Sequence, residues 1–225
     1  ASLHRLPHRR PAGPAYLTSH KRATLASAFG GNCARAGATH DNGKHIGMRH
    51  LLDKPGRLTP EETKIVQTHV LYGMESVLTN PVAGDPEATL TMAVPAGMHH
   101  RGKNYPPYEQ IVHLLQAHTL LSPGEIHDIL RDDGDMAALV SLVAMLDALD
   151  ALLFRRPYSI ERLAREGVRG TIGVPKALEI VEAEMGGLLR IPRINRIHRT
   201  VVEYALDSRH VLEEMSAEYR LQFAA

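Results

Sequence analysis

The 225-residue chain has one cysteine, no tryptophan and three phenylalanines. A single thiol, Cys33, excludes an internal disulfide and fits a reducing compartment, so the expected location is the cytoplasm. With aromatics at only 4%, the core must rest on Leu, Ile, Val, Ala and the eight Met, which favours helices over sheets. Neither sign of charge dominates. Lys and Arg total 26 against 25 Asp and Glu, too even a balance to suggest duplex nucleic acid or an anionic membrane as partner. No run of eighteen apolar residues occurs and no signal-peptide pattern precedes the first helix, so no membrane association is expected. Internal repeats, low-complexity tracts and convincing strand patterns are also missing. What stands in excess is histidine, 14 in all, about three times ordinary usage. Imidazole is the commonest ligand for first-row metals, although a His-rich surface would give the same count.

The length suits one domain. Residues 1–17 hold Pro7, Pro11, Gly13 and Pro14 among Arg and His and read as a flexible arm, leaving 18–225 as a single helical domain. Helices are predicted over 21–29, 33–41, 60–78, 87–100, 109–121, 136–154, 159–166, 175–186 and 197–220. The best marked begins at Thr59-Pro60-Glu61-Glu62. Thr59 is the N-cap, Pro60 takes the first helical position and Glu62 completes a capping box. The helix over 136–154 is apolar almost all round, as central helices are, yet contains Asp147 and Asp150, and a buried carboxylate needs a cation or a hydrogen-bond partner.

The run Ala38-Thr39-His40-Asp41-Asn42-Gly43-Lys44 sets an imidazole, a carboxylate and an ammonium within two helical turns. Adjacent side chains on a helix do not share a face, so His40 and Asp41 can serve one metal only near a helix end, or can serve two. The second option requires ligands downstream, and His69, the pair His99-His100 and Asp147 supply them.

In order, the chain gives His40-Asp41-x-Gly-Lys44, Lys54-Pro-Gly-x-Leu-Thr, Thr68-His69, His99-His100, Tyr105-Pro106, Asp147-x-x-Asp150-Ala-Leu and Arg156-Pro-Tyr158. This series resembles the HD-GYP family, a branch of the HD phosphohydrolases, from about His20 to Pro192. The resemblance implies an all-α HD-domain helical bundle of the HD-GYP type. It also implies two divalent transition-metal ions, iron or manganese, and hydrolysis of cyclic di-GMP or a related cyclic dinucleotide by a metal-bridging hydroxide in bacterial signal transduction. By the same resemblance His20, His40 and Asp147 would hold one metal, His69, His99 and His100 the other, and Asp41 would bridge them. Lys44 would assist catalysis and face the phosphate. Tyr105, Asp150 and Arg156 would contact substrate. A homodimer or a diguanylate cyclase is the implied protein partner.

The chain departs from the family in places. Arg101 stands where the family has Glu after the His pair, the Asp-Gly-x-Gly-Tyr-Pro loop is shortened to Gly102-Lys-Asn-Tyr-Pro, and Ser159 replaces a Lys. Tyr16 occupies the place of a further Glu ligand, which favours two metals over three. These departures motivate two alternatives: a catalytically silent domain that binds a cyclic dinucleotide or a protein, and an HD phosphohydrolase for another phosphoester. His45, His50, His113, His118, His198 and His210 read as surface or structural residues, His127-Asp128 as a coincidental repeat of the dipeptide, and Cys33 as a core residue.

Overall fold

The computed structural model describes residues 31, 33–45, 47–54, 56–101, 106–154 and 172–223. Among them there is no strand and most are helical, so the fold is all-α. The arm over 1–17 and the predicted helices over 21–29 and 159–166 lie outside the described residues. Residues 33–39 form α1, followed by a 3-10 turn at Asn42–His45 and by α2 at Arg49–Leu52. Then come α3 (Pro60–Gln67), α4 (His69–Thr79), α5 (Pro86–Met98), α6 (Tyr108–His118), α7 (Pro123–Leu130) and α8 (Asp135–Leu153). After these, α9 (Val174–Met185), a 3-10 turn at Gly186–Arg190, α10 (Pro192–Asp207) and α11 (Arg209–Phe223) complete the described chain.

The capping box at Thr59 forms as expected: the Glu62 amide donates to Thr59 Oγ1 and the Thr59 amide to the Glu62 carboxylate. The helix it starts is shorter than the predicted 60–78. It breaks at Thr68 into α3 and α4. Thr68 Oγ1 takes the Ile65 carbonyl at 2.7 Å and the His69 ring takes that of Val66 at 2.6 Å, so side chains compete for carbonyls that a continuous helix would use. A second correction is α7, which lies between the predicted helices over 109–121 and 136–154, where no helix is predicted. Ser122-Pro123-Gly124-Glu125 closes a capping box of the same type. The predicted helix over 197–220 is likewise two helices, α10 and α11, with α10 starting at Pro192 in the first-turn position that suits proline.

Helix α8 joins the apolar clusters. Met145, Leu149, Leu152 and Leu153 pack with α9 and α10; Val140 joins the cluster of Met74, Val94, Met98, Ile111 and Leu115 from α4, α5 and α6; Leu139 and Val143 meet Ala36 of α1. By length and composition α8 could cross a membrane, but more than half of it is buried inside the molecule, as in the central helix of a globular core. Cys33 packs on the α1–α8 contact, and burial raises its thiol pKa, which suits a core residue.

Candidate metal centre

The ends of three helices deliver histidines to one place. His40 follows the last residue of α1, His69 stands at the junction of α3 and α4, and His99 caps α5. In each the ring Nδ1 meets a carbonyl of the preceding turn: His40 that of Gly37 at 2.6 Å, His69 that of Val66 at 2.6 Å, and His99 those of Pro95 at 3.1 Å and Ala96 at 3.2 Å. A carbonyl only accepts, so Nδ1 carries the proton and the Nε2 lone pair is left for another partner. This outer bond is how metal-binding imidazoles are held in one tautomer and orientation.

The Nε2 atoms converge on two carboxylates. His69 Nε2 and His99 Nε2 are 3.4 Å apart and lie 3.5 Å and 3.8 Å from Asp41 Oδ1. His40 Nε2 is 3.5 Å from both Asp41 Oδ2 and Asp147 Oδ1, and His100 Nε2 is 3.9 Å from Asp147 Oδ2. Most of these separations are long for hydrogen bonds. They match the edges of a coordination shell with ligand distances of about 2.0–2.2 Å, whose neighbouring donors stand roughly 3–3.6 Å apart. His69, His99 and His100 form one group whose ligand atoms all lie within 4.8 Å of one another, and His40, His99 and Asp147 form a second. Asp41 presents Oδ1 to the first group and Oδ2 to His40 of the second, as a bridging carboxylate does.

Burial and charge prepare the donors. The His69 and His99 side chains are 2% and 0% exposed, whereas those of His40 and Asp41 are 19% and 24% exposed, so the cluster is closed on one side and open on the other. Burial, with Lys44 nearby, holds the His69 pKa below its usual value, and burial pushes His99 down to about 4. Burial acts against the charge of His40 as well, but contact with Asp147 and the negative charge of Asp41 outweigh it and the pKa ends raised. Burial opposes ionisation of both carboxylates; Lys44 and His40 still keep Asp41 low, and His40, Lys44, His99 and His100 keep Asp147 well below the carboxylate range. Near neutral pH both acids are thus ionised while His69 and His99 are neutral, the forms that bind a cation.

Lys44 donates to Asp41 Oδ2 from the 3-10 turn. Asp150 lies one turn beyond Asp147 on α8 and is exposed. His20, Tyr105 and Arg156 lie outside the described residues. Arg101 pairs with Asp132 from the α7–α8 connection, so its positive charge is matched by a carboxylate. His50, His113, His118 and His210 are exposed, as is His127-Asp128 on α7.

Gly43 is a positioning residue whose role the sequence did not reveal. A Cβ there would stand 1.8 Å from the His69 carbonyl oxygen and 2.7 Å from the Gly73 amide nitrogen, so the turn carrying Lys44 lies directly on the backbone of α4. The signal was the glycine inside His-Asp-x-Gly-Lys, but nothing in the sequence showed which backbone it would meet. Comparison with protein-family models, curated proteins and solved structures finds no match to this chain.

Proposed function

We propose that the chain is a metal-dependent phosphodiesterase of the HD-GYP type, with two divalent transition metals, iron or manganese, held by His40, His69, His99, His100 and Asp147 and bridged by Asp41. One observation carries this reading: three buried or half-buried imidazoles each bind a backbone carbonyl through Nδ1 and turn Nε2 towards two ionised carboxylates. A surface-rich distribution of histidine would not produce that arrangement. His20 would join His40 and Asp147 at one of the two sites, as the resemblance implies.

A pair of such ions supplies a hydroxide nucleophile near neutral pH and draws charge from the phosphoryl oxygen. The chain's own groups then have definable tasks. Asp41 would be shared by the two ions and remains ionised because Lys44 and His40 flank it. Lys44, its side chain 11% exposed beside the open edge of the cluster, provides a fixed cation for the phosphate. His69 and His99 close the rear of the site against water.

The substrate class proposed is a cyclic dinucleotide, cyclic di-GMP first. The test is metal analysis of the purified chain combined with turnover of cyclic di-GMP, other cyclic dinucleotides and a generic phosphodiester. Stoichiometric iron or manganese with linear dinucleotide product supports the reading. Absence of a bound transition metal overturns it, metal without turnover of any ester assigns a silent binding domain, and turnover of the generic ester alone assigns a different phosphohydrolase.

A further inference from the structure

The charge of the chain is nearly balanced overall, but one segment is not. From Met185 to Val202 there is no Asp or Glu, while Arg190, Arg193, Arg196 and Arg199 recur at every third position. Arg193 pairs with Asp135 at the start of α8. The other three line an open groove of about 460 Å³ together with Leu189, Pro192 and Asn195. Among the described residues no carboxylate pairs with Arg190, Arg196 or Arg199.

The groove also has an ordered element. Asn195 Nδ2 donates to the Leu189 carbonyl at 2.9 Å, and its Oδ1 accepts from Arg199 Nε at 2.8 Å, so one guanidinium is held in place with its outer nitrogens directed elsewhere. The N-terminus of α10 adds to the field, since its first turn has no acidic residue and its N-cap, Ile191, has no side-chain hydrogen bond to the helix. Among the described residues that line the groove there is no aromatic ring on which a base would stack, and the three guanidinium groups suit phosphate oxygens.

We propose that this groove is an anion site, separate from the metal centre, that takes the phosphate or diphosphate group of a soluble ligand. The site does not depend on the metal reading above, because none of its described lining residues belongs to the described His and Asp cluster. It nevertheless sits on the segment that borders the centre. Leu188 and Ile194 line the narrow cleft that His99 and Arg101 also line.

The experiment is calorimetric titration of the full chain, stripped of metal by chelation, with inorganic pyrophosphate at about 0.1 M salt. Saturable one-site binding is expected, weakened at least about tenfold in Arg196→Gln/Arg199→Gln and measurably in Arg190→Gln. Asp41→Asn should bind as the parent chain does. No saturable heat, equal affinity in the double variant, or equal loss in Asp41→Asn overturns the proposal. Vesicles of phosphatidylglycerol provide the second arm: capture by vesicles without pyrophosphate binding assigns the arginines to a lipid surface and also overturns it. All three arginines are exposed, so circular dichroism melting of each variant should match the parent and exclude misfolding as the cause.

Discussion

Gly43 and His69 touch through their backbones: the α-carbon of the glycine lies so close to the His69 carbonyl that a methyl group there would overlap it. That contact fixes the turn holding Lys44 against the helix beginning at His69. Gly43→Ala should therefore lower stability by about 3 kcal/mol or more, above the usual cost of overpacking because neither partner is a movable side chain. Gly37→Ala, where an added Cβ meets nothing within 4 Å, should be neutral or slightly stabilising. Denaturant melts of the two variants check the contrast, and a Gly43→Ala protein as stable as the parent would remove the positioning role.

Asp147 is the one described acid that α8 brings to the cluster. Asp147→Asn keeps the shape and removes the charge, and the expected result is at least about 100-fold weaker metal binding, beyond what outer-shell changes give. Asp150→Asn, on the exposed side of the same helix, should leave metal content unchanged. Metal retention after dialysis of both variants would decide.

The pH dependence has a defined sign. His99 is buried with its pKa depressed to about 4, whereas an unfolded histidine titrates near 6.5. Between those values the unfolded chain takes up the proton that the folded chain refuses, so stability is present above about pH 6.5 and falls as pH drops towards 4. The full loss from this residue is about 3 kcal/mol. Lowered Asp41 and Asp147 act in the same direction at still lower pH; raised His40 acts oppositely. Urea melts of the metal-free chain at pH 7.5, 6 and 5 test this, and His99→Gln should flatten the curve over that interval.

The capping box of α7 gives a local test. Ser122→Ala removes the oxygen that accepts from the Glu125 amide and should cost about 1 kcal/mol. Thr59→Ala at α3 should cost about as much, by the same bond.

Local chemistry made part of this fold readable in the sequence. Thr59-Pro60-Glu62 located the start of α3, and apolar content identified α8 as the central helix with carboxylates inside it. Ser122-Pro123-Glu125 follows the same rules, but the polar residues around it masked a short helix. The break at Thr68 was not legible, because the apolar stripe runs on through 60–78 while the side chains of Thr68 and His69 turn back onto the Ile65 and Val66 carbonyls, a choice that residue types alone do not fix. In the candidate site, His40, Asp41, His69, His99, His100 and Asp147 were all legible as chemistry-bearing residues at suggestive intervals. The carbonyls that orient them and the steric demand at Gly43 belong to the backbone, whose positions a list of side chains does not contain.

Helix α8 carries Asp147 and also packs into the cluster formed with α9 and α10, while the histidines come from the segments before it. An ion held jointly by His40, His99 and Asp147 would therefore tie distant stretches of chain into one closed loop. With a lone cysteine, the protein has no covalent internal bridge available, and coordination would fill that place, narrowing the unfolded ensemble as a disulfide does. Such a tie comes apart when a chelator is added and re-forms when the metal returns, so the melting temperature should follow the free metal concentration.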